Sequence, residues 1–421
     1  MADNASRDEE ICLRRTRVDG APKHDSFLNK DGLLLRSYGW LVKNAIGIII
    51  LIHGIKAHAR LNFLKPNVEV VSNDKVIVKD ENNYYVYEDS WVEYFNKHGY
   101  SVFGLDLQGH GLSDGFENLC HNVKEFDDFA YDVMQYIRNI QDSLNDGTVD
   151  DGGSSLPFGE DKICERRKPL PTYVVGLSLG GSIALRMLQI LGKSQNENTG
   201  LNIRGCISIS PMITVEKLPS KNSFLFQRVC LPLSKFIADR IPTVRLIAMY
   251  PYKMYPYIKY FIEYDKIQSK QAITCRFGYE LLKAIDNLDN DIKYMPKNIP
   301  VLIIHSKKDI LCYYEGSLSF YNRLDVKNKE MHTLVDMEHI LTWEPGNERV
   351  SKKIVEWIMG LSSEGGAASE GGSISEGSST SEGSSTSEGS STSEGSNTSE
   401  GGSTSEGSST SEMVSMGSAS L

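Results

Sequence analysis

The stretch TYVVGLSLGGSIALRM, residues 172–187, joins an apolar, partly β-branched run to a helix-forming run through a serine set among glycines. Thr172 to Leu177 reads as a strand, and Gly181 to Leu191 as a helix. Between them, Gly176-Leu-Ser178-Leu-Gly180 has the context of a nucleophile elbow. A serine at so tight a strand-to-helix turn is held in a strained conformation with its hydroxyl projecting. The residues two before and two after it must be small, so that the helix can cross close to the strand. The helix N-terminus and the amide of Leu179 then face the site where an oxyanion would develop. The competing reading is a glycine-rich turn around a buried serine.

Outward from this turn, strands and helices alternate. Upstream, IGIIILI (residues 46–52) is a continuous apolar run of strand length, as expected where both faces are covered. Trp91, Tyr94, Phe95 and His98 mark a short helix closed by Gly99, and Tyr100 to Leu105 is the next strand. Phe126, Phe129, Ala130, Val133, Met134 and Ile137 fall on one helical face. Downstream, Arg204 to Ser210, Val301 to Ile304 and Met331 to Val335 read as strands, and Val350 to Met359 as the last helix. This alternation predicts an α/β fold with a mostly parallel, doubly wound sheet. Residues from about 212 to 295 break the rhythm and carry six tyrosines between Tyr250 and Tyr264. They read as a cap inserted over the carboxyl ends of the strands, where open α/β sheets bind ligands. Its aromatics either pack the insertion onto the core or, in part, line an apolar groove for an acyl chain.

An activated serine needs a base and an orienting acid, and with an elbow of this type they follow in the order serine, acid, histidine. Asp309 closes VLIIHSKKD just past a strand, and His339 lies in VDMEHILTW between the last strand and the last helix. His332 falls inside a strand, His305 precedes the acid loop, and Glu338 adjoins His339 too closely in sequence to grip its Nδ1. His53-Gly54-Ile55 ends the first apolar strand, so the amide of Ile55 is the candidate second oxyanion donor beside that of Leu179. An ordinary strand-exit glycine is the alternative. His58 either borders the site or sits partly exposed in a loop. In DLQGHGLSDG (residues 106–115), the glycines shape a turn that Asp106 and His110 fix by hydrogen bonds. No P-loop, GxGxxG or HExxH string is present, and no metal or cofactor is expected.

The charge is unevenly distributed. The 421 residues hold 45 basic and 55 acidic side chains, a net of −10, but nine glutamates lie in a Ser-Glu-Gly repeat from Ser362 onward. Without them the body stands at 45 against 46, a net of −1, and no Lys/Arg block supports nucleic-acid binding. The repeat has a six-residue period and no aromatic residue, so residues 362–421 read as a disordered tail. Length permits two or three domains or one α/β domain with insertions. The division expected is an N-terminal extension (1–24), one domain (25–361) with extra loops at about 62–87 and 142–170, and the tail. Within the first loop, VEVV and KVIV could pair as a hairpin. Seven scattered cysteines without a CxxC pair suit a reducing compartment. Neither a secretory leader nor a membrane-spanning run is visible, which predicts a cytoplasmic protein.

Taken together, HGI at 53, DLQGHGLSDG at 106, GLSLGGSIALRM at 176, SISPMI at 208, the HSKKD loop and the MEH loop resemble the monoglyceride lipase and lysophospholipase family of serine α/β-hydrolases. DSFLNKDGLLLRSYGWLVKNAIGI looks like the lysophospholipase-type members of malaria parasites. The resemblance implies an α/β-hydrolase fold and hydrolysis of a single acyl ester from a monoacylglycerol or lysophospholipid. Ser178 would attack, His339 would take its proton, Asp309 would hold the imidazole, and the amides of Ile55 and Leu179 would form the oxyanion hole. The family pattern has histidine before the nucleophile and methionine after it, where this chain has Leu177 and Leu179. The partner expected is a small lipid or ester, with transient contact between the cap and a membrane surface. The rival readings are a carboxylesterase for small or xenobiotic esters and a catalytically silent binding scaffold.

Overall fold

The computed structural model describes residues 20–145, 169–194, 200–214, 225–246 and 252–367. The repeat tail beyond Ala367, most of the N-terminal extension and most of the expected loop at 142–170 lie outside the described residues.

Eight strands form the central sheet: β1 (Lys23–Leu28), β2 (Leu34–Trp40), β3 (Gly47–Ile52), β4 (Tyr100–Leu105), β5 (Thr172–Leu177), β6 (Ile203–Ile209), β7 (Val301–Ser306) and β8 (Lys329–Leu334). Their spatial order is β1-β2-β4-β3-β5-β6-β7-β8. β2 runs antiparallel to both β1 and β4, and the other pairings are parallel. This is the α/β-hydrolase fold with a mostly parallel sheet. Neither β1 nor β2 is marked in the sequence pattern. KHDSFL is largely exposed, and its sequence carries no clear apolar alternation to betray a strand.

The sheet's alternating side chains divide the core in two. Ile48, Ile50, Ile52, Val174 and Ile303 point to one face and pack with α3 (Phe126–Asn145) and α4 (Leu179–Lys193). Ile49, Leu51, Val175, Leu177 and Ile304 point to the other. There they meet α1 (Ala59–Phe63), α2 (Trp91–Lys97) and α9 (Asn347–Ala367). Because both faces are covered, β3, β5 and β7 are buried along their whole length. α9 continues past Met359, where its apolar periodicity fades, to Ala367.

The interruption after β6 contributes α5 (Leu231–Arg240), α6 (Ile258–Tyr264) and α7 (Cys275–Asn290), and α8 (Tyr314–Arg323) follows β7. The expected hairpin is present, with Val68–Ser72 paired antiparallel to Lys75–Val78. It packs on the insertion: Val76 and Tyr84 share a cluster with Ile258 and Phe261. The Tyr84 hydroxyl donates to the Phe261 carbonyl at 2.7 Å.

Candidate active site

Ser178 sits at the end of β5 with φ 55° and ψ −115°, outside the regions an L-residue favours, and caps α4. Its neighbours show why the turn needs glycine. A β-carbon at Gly176 would overlap the Gly180 carbonyl, and one at Gly180 would overlap the Ile52 carbonyl of β3. α4 begins at Leu179 itself, so the amide of Leu179 has no intrahelical acceptor.

Asp309 and His339 come to the same place from the ends of β7 and β8. His339 Nε2 lies 2.8 Å from Ser178 Oγ, and His339 Nδ1 lies 2.7 Å from Asp309 Oδ2. A carboxylate only accepts, so Nδ1 carries the proton and Nε2 is left to accept from the serine hydroxyl. Asp309 Oδ1 accepts from the amides of Leu311 and Cys312, each at 2.8 Å. Burial by itself would raise the Asp309 carboxyl. The charge of His339 and the hydrogen bonds from His305 and His339 outweigh it and hold the group far below the ordinary carboxylate range. Burial likewise opposes charge on His339, yet the charge and hydrogen bond of Asp309 raise it above the ordinary histidine value. Chemically, the arrangement can deprotonate a serine hydroxyl and hold the resulting imidazolium.

The third side of the site is the turn after β3. The Gly54 amide donates to Asn62 Oδ1 at 2.8 Å, and Gly54, Ile55 and Asn62 all line the cavity beside Ser178 and Leu179. His53 fixes this turn from behind: its Nδ1 donates to the Gly54 carbonyl and its Nε2 accepts from the Leu107 amide. Asp106 accepts from the amides of Ala59 and Leu112 and from the Tyr38 hydroxyl, each at 3.0 Å. His110 Nδ1 donates to the Gln108 carbonyl, so both residues hold the turn as the sequence suggested.

His58 differs from either expectation. It is fully buried, with Nε2 2.9 Å from Asp265 Oδ2 in the cap and 3.1 Å from the Tyr85 hydroxyl, and it does not line the cavity. His305, a weaker candidate for the base, and Glu344, which no sequence motif marks, support the triad from outside it. His305 Nε2 reaches Asp309 Oδ2, and the carboxylate of Glu344 accepts from the amides of Glu338 and Ile340. Sequence offered little signal for either, since each depends on a loop folding back. Glu338 turns away from His339 and accepts from the Met254 amide.

Asp309, Cys312 and His339 present potential ligand atoms within 4.8 Å of one another. Asp309 and His339 are already bonded to each other, and burial followed by the charge of Asp309 pushes the Cys312 thiol up and keeps it protonated. A protonated thiol and an occupied carboxylate–imidazole pair suit a triad better than a metal.

Above Ser178 lies a cavity of about 620 Å³, within the range of small-molecule sites. The cap supplies Ile237, Leu246, Ile262, Leu281 and Ile285, the body supplies Leu177 and Trp343, and Met212 lines it from the junction of the two. Among the described lining residues there is no carboxylate, and the one cation is Lys56.

A family model, Serine aminopeptidase, S33, matches residues 82–346, well over half of the chain. The chain belongs to this family. Its fold is similar to that of a soluble monoglyceride lipase variant from Saccharomyces cerevisiae, solved with a substrate analogue. That match has 18% identity and a TM-score of 0.58, covering 83% of this chain and 96% of that one. A monoacylglycerol lipase from Paleococcus ferrophilus matches at 20% identity and a TM-score of 0.52, covering 78% and 99%. A carboxyl esterase from Bacillus coagulans, solved with glycerol, matches at 16% and 0.57, covering 81% and 99%. At these identities the likeness is one of fold. No curated protein sequence matches the chain. Among the described residues of this S33 member, no helix is long and apolar enough to cross a membrane.

Proposed function

We propose that this chain is a serine hydrolase that cleaves the single acyl ester of lysophospholipids or monoacylglycerols. The observation that carries the reading is the Ser178–His339–Asp309 relay opening into an apolar cavity. Ser178 Oγ attacks the ester carbonyl as His339 Nε2 takes its proton. The amides of Ile55 and Leu179 receive the oxyanion. His339 then protonates the leaving alcohol, and a water activated by the same imidazole resolves the acyl-serine.

The cavity's chemistry supports an ester over a peptide. An aminopeptidase must hold the substrate's terminal ammonium, which calls for a carboxylate, whereas the described lining offers none and contains Lys56. An acyl chain needs no polar partner. The resemblance to parasite lysophospholipases supports the lipid assignment over small xenobiotic esters.

Placement in the cytoplasm, with contact at membrane surfaces, is part of the same reading. Leu225, Val229, Leu233 and Phe236 are exposed at three- to four-residue spacing along the cap, a pattern that suits a lipid surface. The deciding experiment is turnover of a lipid panel by the wild type and Ser178→Ala. Fatty acid released from lysophosphatidylcholine or monoacylglycerol by the wild type alone supports the reading. Turnover confined to short p-nitrophenyl esters would favour a general carboxylesterase, and failure of Ser178 to label with a fluorophosphonate would favour a silent scaffold.

A further inference from the structure

The loop that carries His339 is closed by a side chain outside the triad. Glu344 is 1% exposed. Its Oε1 accepts from the amide of Ile340 at 2.7 Å and its Oε2 from the amide of Glu338 at 2.5 Å. These are the two amides that bracket His339, so one carboxylate grips the backbone on both sides of the histidine. The clamp is anchored in turn. The Glu344 carbonyl accepts from the amide and side chain of Asn347, whose Oδ1 accepts from Trp91 Nε1 on α2. On the other side, Ser306 Oγ of β7 donates to the Met337 carbonyl.

We propose that Glu344 is a positioning residue for His339: its carboxylate sets the backbone of the loop and places a negative charge beside the imidazolium formed when Ser178 gives up its proton. This rests on the proposed hydrolase chemistry. Asp309 orients the ring through Nδ1, whereas Glu344 acts through the peptide groups and so fixes where the ring hangs. The groups facing it are His339 and Glu338 in its own loop and the phenols of Tyr255 and Tyr257 from the cap segment. Burial pushes the Glu344 carboxyl up to about 7, against its two amide donors and His339. Two effects therefore follow from its ionised form. It completes both hydrogen bonds, and it adds to Asp309 in raising His339.

Glu344→Gln keeps the size, removes the charge and can accept from only one of the two amides with its single oxygen. The ¹⁵N chemical shift of His339, assigned by its disappearance in His339→Gln, reports the imidazole titration whether or not the protein turns over any ester. In Glu344→Gln that titration midpoint should fall by about one pH unit, because a neighbouring anion no longer favours the cation. On p-nitrophenyl butyrate, kcat should fall about 10- to 100-fold with KM little changed. Glu344→Asp keeps the charge but cannot span both amides, so the midpoint should hold while kcat drops. An unmoved midpoint in Glu344→Gln overturns the electrostatic role, and wild-type kcat in Glu344→Asp overturns the clamp. Should Glu344→Gln not fold, a lowered midpoint in Glu344→Asp overturns the charge argument instead. Absence of turnover in the wild type would count against the hydrolase reading, and the titration would still decide the role of Glu344.

Discussion

His305 Nε2 lies 3.0 Å from Asp309 Oδ2, the same carboxylate oxygen that His339 Nδ1 approaches at 2.7 Å. Asp309 thus joins two histidines with opposite duties. Nε2 of His305 also faces the Cys312 carbonyl at 3.1 Å, so with two acceptors before it this nitrogen carries the proton. Its Nδ1 then accepts from Ser317 Oγ at 2.7 Å. The ring is buried and anchored at both nitrogens, and it steadies the carboxylate that steadies His339. Replacing it by phenylalanine keeps the ring and deletes the donor. A hydrogen bond to a charged group contributes about 1.5–3 kcal/mol, so His305→Phe should lower kcat/KM roughly 10- to 100-fold. Ser317→Ala should cost less, since it loosens the ring without removing the donor. Steady-state kinetics on one soluble ester measures both, and unchanged kinetics in His305→Phe would reduce His305 to packing.

The triad predicts the pH response. His339 must be neutral to accept the Ser178 proton, and its raised value shifts the acidic limb of kcat/KM above the ordinary histidine value. Activity should therefore rise with pH through that limb. Asp309→Asn removes the charge that raises the imidazole, so its limb should move to lower pH, and kcat should fall by about 10³- to 10⁴-fold. For stability the signs differ between the two groups. The raised His339 contributes stability below its unfolded value, lost as pH rises through its folded value. The depressed Asp309 contributes above the ordinary carboxylate value, lost only as pH falls through a folded value far below it. Profiles of kcat/KM from pH 5 to 9, with fluorophosphonate labelling as a second readout, check the shift.

Another buried histidine–carboxylate pair joins body and cap. His58 sits at the N-terminus of α1 and Asp265 just past α6, and both side chains are fully buried at 2.9 Å. Asp265 Oδ1 additionally accepts from the amides of Ile267 and Gln268. Burial would raise the Asp265 carboxyl, but the hydrogen bond and charge of His58 bring it below its ordinary value. Removing one member of such a pair leaves the other buried without its partner, which costs about 3–5 kcal/mol. His58→Ala should therefore lower the denaturation midpoint substantially, measured by urea titration. His58→Ala combined with Asp265→Ala should cost less than the two single losses added together.

The elbow and the order of the triad were legible because each residue lies at a strand end, and strand ends are marked in sequence by apolar runs that stop. TYVVGL, VLIIHS and the loop before the last helix told where Ser178, Asp309 and His339 would stand. What the residues could not reveal were partners fixed by folding back across loops. Nothing in HSKKD marks His305 as bonding Asp309, and nothing in EHILTWE marks Glu344 as closing on Glu338. His58 was ambiguous for the same reason, since its partner lies 207 residues away. The antiparallel β1 escaped because its residues alternate neither in size nor in polarity.

The exposed side of the cap gives the last prediction. Leu225, Val229, Leu233 and Phe236 follow one another at helical spacing from Leu225 through the π-turn at Phe226–Cys230 into α5, and all are exposed. Phe236 is 56% exposed, and Ile237 beside it lines the cavity over Ser178. A lipid held at this face would be close to the cavity it must enter. Phe236→Glu places a charge where a bilayer would sit, so it should weaken flotation with neutral phosphatidylcholine vesicles. Turnover of lipid presented in those vesicles should fall severalfold, while hydrolysis of dissolved p-nitrophenyl butyrate should hold, because Phe236 itself does not line the cavity. Equal loss on both substrates would mean the substitution had disturbed the cap's packing, and no loss on either would mean that this face does not meet lipid.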